Sequence, residues 1–125
     1  MRTYLQKRAD AKKKYRTEAK IRWHLINTNP HCFIQPIETI TAVGVPDLFV
    51  KAPFAAIWVE LKTVKRAVKT TVSPDWREGQ IAWANRYLGV DGNWMLIIEI
   101  NGELMFTLTP QEKYNLEELR LFKGF

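Results

Sequence analysis

At 125 residues, 46% hydrophobic and 26% charged, the chain has the length and balance of one globular domain, and no apolar run approaches the ~20 residues of a membrane span. Its single cysteine, Cys32, excludes an internal disulfide and a thiolate metal cage, so a reducing compartment is expected, with Cys32 packing as a small hydrophobe in a strand. One segment carries the net charge of +6: residues 1–22 hold nine basic side chains against Asp10 and Glu18, and the other 103 residues sum to −1.

The N-terminal stretch MRTYLQKRADAKKKYRTEAK has no apolar segment behind its charges, so no cleavable signal and a cytoplasmic location are expected. Its charge fits either a solvated helix face or a phosphate-binding arm in which Lys12, Lys13, Lys14 and Arg16 release counterions from nucleic acid. A basic helix is predicted over about residues 8–27, with Glu18, Ile21 and Leu25 on one stripe and Pro30 as the stop. CFIQPI reads as a strand, near a sheet edge because of Pro36. DLFV and AAIWVELKTV, separated by KAPF, read as a hairpin. KRAVKTT is a basic loop in which Lys65, Arg66 and Lys69 either touch phosphates or are merely solvated.

Ser73 and Pro74 predict a second helix, Ser73 as its cap and Pro74 at its first position, running to Leu88 and stopped by Gly89. Gln80, Trp83, Ala84 and Tyr87 share one face of it. WMLIIEI and LMFTLT are two further strands joined by the turn residues of NGE, and PQEKYNLEELRLF is read as a short terminal helix. The order α, β, β, β, α, β, β, α predicts an α/β fold, a central mixed β-sheet flanked by helices, with residues 1–125 as one domain. Of the five tryptophans, Trp76, beside the basic loop, is the best candidate for a base-stacking platform, and neither His24 nor His31 has partners at metal-ligand spacing.

The polar residues inside the hairpin carry the chemistry. Side chains two apart on a strand share a face, so Glu60 and Lys62 project together. If the hairpin is antiparallel, Asp47 comes level with them. Two adjacent carboxylates repel unless a hard cation takes oxygen ligands from both, and Mg²⁺, with Mn²⁺ as a substitute, suits such a site. Phosphodiester hydrolysis follows, with Lys62 orienting water or neutralising transition-state charge. The plain alternative is a solvated strand face with a cross-strand ion pair.

Gly44-Val45-Pro46-Asp47, then twelve residues, then Glu60-Leu61-Lys62, resembles the signature of the PD-(D/E)XK nucleases. Gln80, in SPDWREGQIAW, is similar to the additional motif of their virus-type replication-repair branch. The likeness spans roughly residues 15–100. It implies a restriction-endonuclease-like core over about 32–110, with Asp47, Glu60 and the Leu61 carbonyl as metal ligands, Lys62 as the catalytic lysine and Gln80 in support. An acid on the first helix completes the metal shell in many members; Glu18 is the candidate, and an ordinary surface glutamate is the alternative. The resemblance further implies a small, often viral or phage, homodimer that cuts branched DNA such as Holliday junctions without a small-molecule cofactor. A non-catalytic nucleic-acid-binding module, or a subunit of a larger recombination or packaging complex, is the rival expectation. The basic loop KTVKRAVKTTVSPDW is longer than the signature requires, which points to a reshaped approach for substrate.

Overall fold

The computed structural model describes residues 17–38, 43–64, 66 and 68–125. Helix α1 (Glu18–Thr28) begins at Thr17, whose extended backbone and side-chain oxygen receive the Lys20 N–H, satisfying one of the donors every helix start leaves open. The part of the predicted basic helix before Thr17 lies outside the described residues. At the other end the Asn29 side chain donates to the Leu25 carbonyl at 2.9 Å, closing the last turn before Pro30. The predicted stripe is the buried one: Ile21 and Leu25 are fully enclosed against the sheet.

Strands β1 (Phe33–Pro36), β2 (Leu48–Lys51) and β3 (Ala56–Thr63) form an antiparallel meander, with β1 on the sheet edge as Pro36 predicts. Cys32 lies one residue before β1 and packs against the core from there. The chain crosses over through a short strand β4 (Thr71–Val72) and helix α2 (Gln80–Leu88) to β5 (Trp94–Ile100), which lies parallel to β3. β6 (Glu103–Thr107) returns antiparallel through Asn101 and Gly102, both at positive φ, the two-residue turn whose twist matches a hairpin. β7 (Tyr114–Asn115) pairs with β4 in a separate ribbon, and β8 (Arg120–Leu121) closes the main sheet in the order β1-β2-β3-β5-β6-β8. This is an α/β fold of the restriction-endonuclease type, a mixed six-stranded sheet flanked by two helices.

Two predicted helices differ. PQEKYNLEELRLF is no helix but β7, a single 3₁₀ turn (Leu116–Glu118) and β8. Tyr114 decides this: fully buried, its hydroxyl donates to the Thr109 carbonyl at 2.6 Å and accepts from the Gln111 N–H, a knot that pairs the segment with β4. Helix α2 starts at Gln80, not Pro74, and Ser73 caps nothing. A helix through residues 74–79 would need the Asp75 carbonyl for its own ladder, whereas that oxygen accepts from the Lys62 ammonium, and Gly79 adopts a left-handed φ of 83°.

The sheet is covered on both faces. Leu48, Val50, Val59, Leu61 and Ile97 meet Ile21 and Leu25 of α1. On the other face Trp94, Leu96, Ile98 and Ile100 meet Ala84 of α2, Val72 of β4 and Tyr114 of β7.

Candidate active site

The β2–β3 register places Leu48 opposite Val59, so the next step outward sets Asp47 level with Glu60. Leu48 and Val50 point into the α1 core; by alternation Asp47 and Phe49 face the α2 side, and Phe49 meets Trp58 there edge to face. Asp47 Oδ2 accepts the Leu61 N–H at 2.8 Å, which fixes the carboxylate beside β3. The loop ahead of it is locked by glycine. Gly44 sits at φ +84°, and a Cβ there would lie 2.2 Å from the Gly79 carbonyl oxygen, so only hydrogen lets this turn rest on the start of α2.

Glu60 is 2% exposed, and its Oε1 accepts from Gln80 Nε2 at 3.1 Å. Burial above all, then the hydrogen-bonding and charge of Asp47, push its carboxyl up to about 10, with Lys62 pulling the other way. Two residues on, Lys62 is 4% exposed, and its ammonium donates to the Asp75 carbonyl at 2.6 Å and to Gln80 Oε1 at 2.8 Å. The same nitrogen stands 5.5 Å from the centroid of the Trp76 ring, within cation–π range. Gln80 is the hub. Its oxygen accepts from Lys62 and from the Arg77 N–H, and because neither can accept, the amide nitrogen must face Glu60.

Glu18 heads α1 at the rim of this cluster. Burial and then the neighbouring Asp47 raise its carboxyl, while Lys62 and Arg77 oppose the shift, so the first helix delivers its acid within electrostatic reach of the pair. Among the described residues no three acidic, histidine or cysteine side chains close around one point. Asp47 and Glu60 are the adjacent carboxylates, and Glu18 stands further off. Leu61, 1% exposed, has its N–H on Asp47. An all-oxygen donor set in which burial first and Asp47 second keep the Glu60 carboxyl protonated fits a hard divalent cation, whose charge would favour the carboxylate and offset the repulsion between the pair.

The other predicted contacts are scattered. Arg66 and Lys69 are exposed on the β3–β4 connection; Lys65, Lys12, Lys13, Lys14 and Arg16 lie outside the described residues. Trp76 is not placed as a base-stacking platform. One face carries Lys62, the ring lies 6.3 Å from that of Trp94, and Nε1 donates to the Gln111 carbonyl at 2.8 Å. His31 bonds the Phe125 carbonyl at the far end of α1. Sequence reasoning passed over two participants, the Asp75 carbonyl and the Arg77 N–H, and gave Trp76 a different role from the one its ring has beside Lys62; all three lie in the stretch read as the first turns of α2. No local signal separates that stretch from a helix start, since Ser-Pro favours one. Beside the cluster lies a cavity of about 370 Å³ lined by Glu18, Lys62, Thr63, Val64, Arg66, Ser73, Asp75 and Arg77.

No protein-family model matches the sequence, and no curated protein does. Among solved structures the chain is similar to Hjc, a Holliday junction resolvase of the archaeal hyperthermophile Archaeoglobus fulgidus, with a TM-score of 0.55 over 78% of this chain and 83% of that one. Identity is 8%, so the two share a fold. Among the described residues no helix is long and apolar enough to cross a membrane.

Proposed function

We propose that the chain is a metal-dependent endonuclease that hydrolyses DNA phosphodiester bonds, selective for branched DNA such as four-way junctions. The observation that carries this reading is the hydrogen-bonded run Glu60–Gln80–Lys62 beside Asp47, a buried polar cluster where a structural strand would carry apolar residues. Burying an acid and an amine costs free energy that an idle site has no reason to sustain. Likeness to a junction resolvase supports the reading at the level of the fold. The signature around Asp47 and Glu60, together with Gln80, supports membership of the virus-type replication-repair branch.

In this reading Asp47, Glu60 and the Leu61 carbonyl would hold Mg²⁺, with Glu18 as the outlying acid of the site. A bound Mg²⁺ supplies Lewis-acid charge to the phosphodiester and acidifies water. The chain's own groups do the rest. Lys62 uses two of its three ammonium protons on Asp75 and Gln80, which leaves one to aim at the attacking water or a phosphate oxygen as negative charge grows there. Gln80 keeps that ammonium and the Glu60 carboxyl in fixed relation, so neither reorganises during the reaction. The basic N-terminal segment adds sequence-independent affinity for the strand. A homodimer with twofold symmetry would present two such sites to paired strands.

Incubating the protein with linear, flapped, forked and four-way DNA, with Mg²⁺ and with EDTA, tests the proposal. The expected result is metal-dependent cleavage favouring the four-way substrate. Lys62→Ala should bind it within a few-fold of wild type and cut it about 10²–10³-fold more slowly, the scale of losing one transition-state donor. Equal cleavage by that variant removes Lys62 from the mechanism, and cleavage undiminished by EDTA removes the metal.

A further inference from the structure

The cavity beside the cluster shares Lys62 and Glu18 with it but none of Asp47, Glu60 or Gln80, so it continues past the carboxylate pair beyond the end of β3. Besides the Lys62 ammonium and the Thr63 hydroxyl, its wall holds three further groups able to donate hydrogen bonds: the guanidiniums of Arg66 and Arg77 and the hydroxyl of Ser73. Among the described residues none of these three side chains makes a hydrogen bond or ion pair. Ser73 is free because α2 begins seven residues later, and the Arg77 side chain is free although its backbone N–H is tied to Gln80. Arg77 is anchored by its main chain with its fork unspent. Glu18 and Asp75 stand on the same wall, yet neither closes a salt bridge with either arginine; Arg77 reaches Glu18 only as a field that lowers its carboxyl.

From this convergence we infer that the cavity is a second phosphate subsite, in which Arg77, Ser73 and Arg66 hold the backbone phosphate adjoining the one placed at Asp47, Glu60 and Lys62. Planar guanidinium forks match phosphate oxygens in pairs, and a hydroxyl donor fills the remaining lone-pair direction. The acidic residues on the wall disfavour a bare polyanion and suit a phosphodiester that arrives with a cation. Because Arg77 and Gln80 are joined through the Arg77 N–H, seating this phosphate sets the register of the strand against Lys62. Arg77 and Ser73 are therefore positioning residues. This inference rests on the nuclease reading for its choice of ligand.

The probe is thymidine 3′,5′-bisphosphate, titrated into the full chain by NMR with the arginine side-chain Nε–H signals observed, alongside four-way junction binding in Ca²⁺ over a range of salt. The bisphosphate is expected to shift the Arg77 signal, and Arg77→Ala/Ser73→Ala to weaken it about tenfold. For the junction, Arg77→Ala should lower the salt slope by about one unit, as the loss of one phosphate contact requires. Arg77→Lys, which keeps the charge and loses the fork, should fall between. Thermal melting checks folding, and both side chains are exposed. Unchanged bisphosphate affinity in the double variant overturns the subsite, even if the wild type cleaves DNA. Bisphosphate bound through Arg77 by a chain that cuts no DNA upholds the subsite and sinks the nuclease reading.

Discussion

The two faces of strand β3 are buried to nearly the same degree by opposite means. Val59 and Leu61, 0% and 1% exposed, meet the aliphatic side chains of α1, where burial itself is the stabilising term. Glu60 and Lys62, 2% and 4% exposed, lie one residue out of phase against α2, where burial is a cost that hydrogen bonds to Gln80 and Asp75 offset in part. One strand thus serves as core and site at once, because side chains alternate with a period of two. The apolar face anchors the strand so firmly that the polar face can hold charges where they are electrostatically uncomfortable.

If that division holds, truncating the apolar face should unfold the protein while the polar face tolerates change. Leu61→Ala should cost about 2–5 kcal/mol in urea melts, the range for a buried large-to-small replacement. A loss below 1 kcal/mol would show that β3 is not the anchor.

Replacing the acid should do the reverse. Without metal, Glu60 holds a proton more tightly in the folded chain, its carboxyl up from an ordinary 4.5 to about 10. Its contribution to stability is therefore complete below the unfolded pKa and is lost as pH rises from about 4.5 towards about 10. In EDTA, wild-type Tm should fall between pH 5 and 9; Glu60→Gln should flatten that slope and raise Tm at pH 8 by roughly 5 °C, about 1 kcal/mol for a domain this size. A steeper slope in the variant would show that Glu60 is comfortable as a carboxylate. The smallest effect belongs to Ser73→Ala. A helix cap would lose ~1 kcal/mol, whereas a side chain that caps nothing should change Tm within error in the metal-free, DNA-free protein.

Much of this was legible in residue order alone. The alternation through the return strand and the stripe Glu18, Ile21, Leu25 are local patterns that the structure has where periodicity put them, while the turn read at KAPF falls one residue later, at Ala52–Ala55, with Lys51 still in β2. The glycine at 44 was legible only as part of a motif. Its physical reason, contact with the Gly79 carbonyl, needs both segments folded. The start of α2 and the fate of the terminal segment were misread for one cause: each is settled by a partner far along the chain. Lys62 draws the Asp75 carbonyl out of any helix, and Tyr114 is buried where β7 meets β4.

Residue order by itself determined which side chains share the polar face of β3 and that Asp47 comes level with them, because strand alternation and a short hairpin leave no other arrangement. Tertiary structure alone decided how Lys62 is seated, between Gln80, the Asp75 carbonyl and the Trp76 ring. It also decided that Ser73 and Arg77 face a cavity rather than a helix turn. The reason is physical: a buried ammonium takes whatever acceptors the fold brings to it, and which carbonyl is spared for it depends on contacts that no local window of sequence contains.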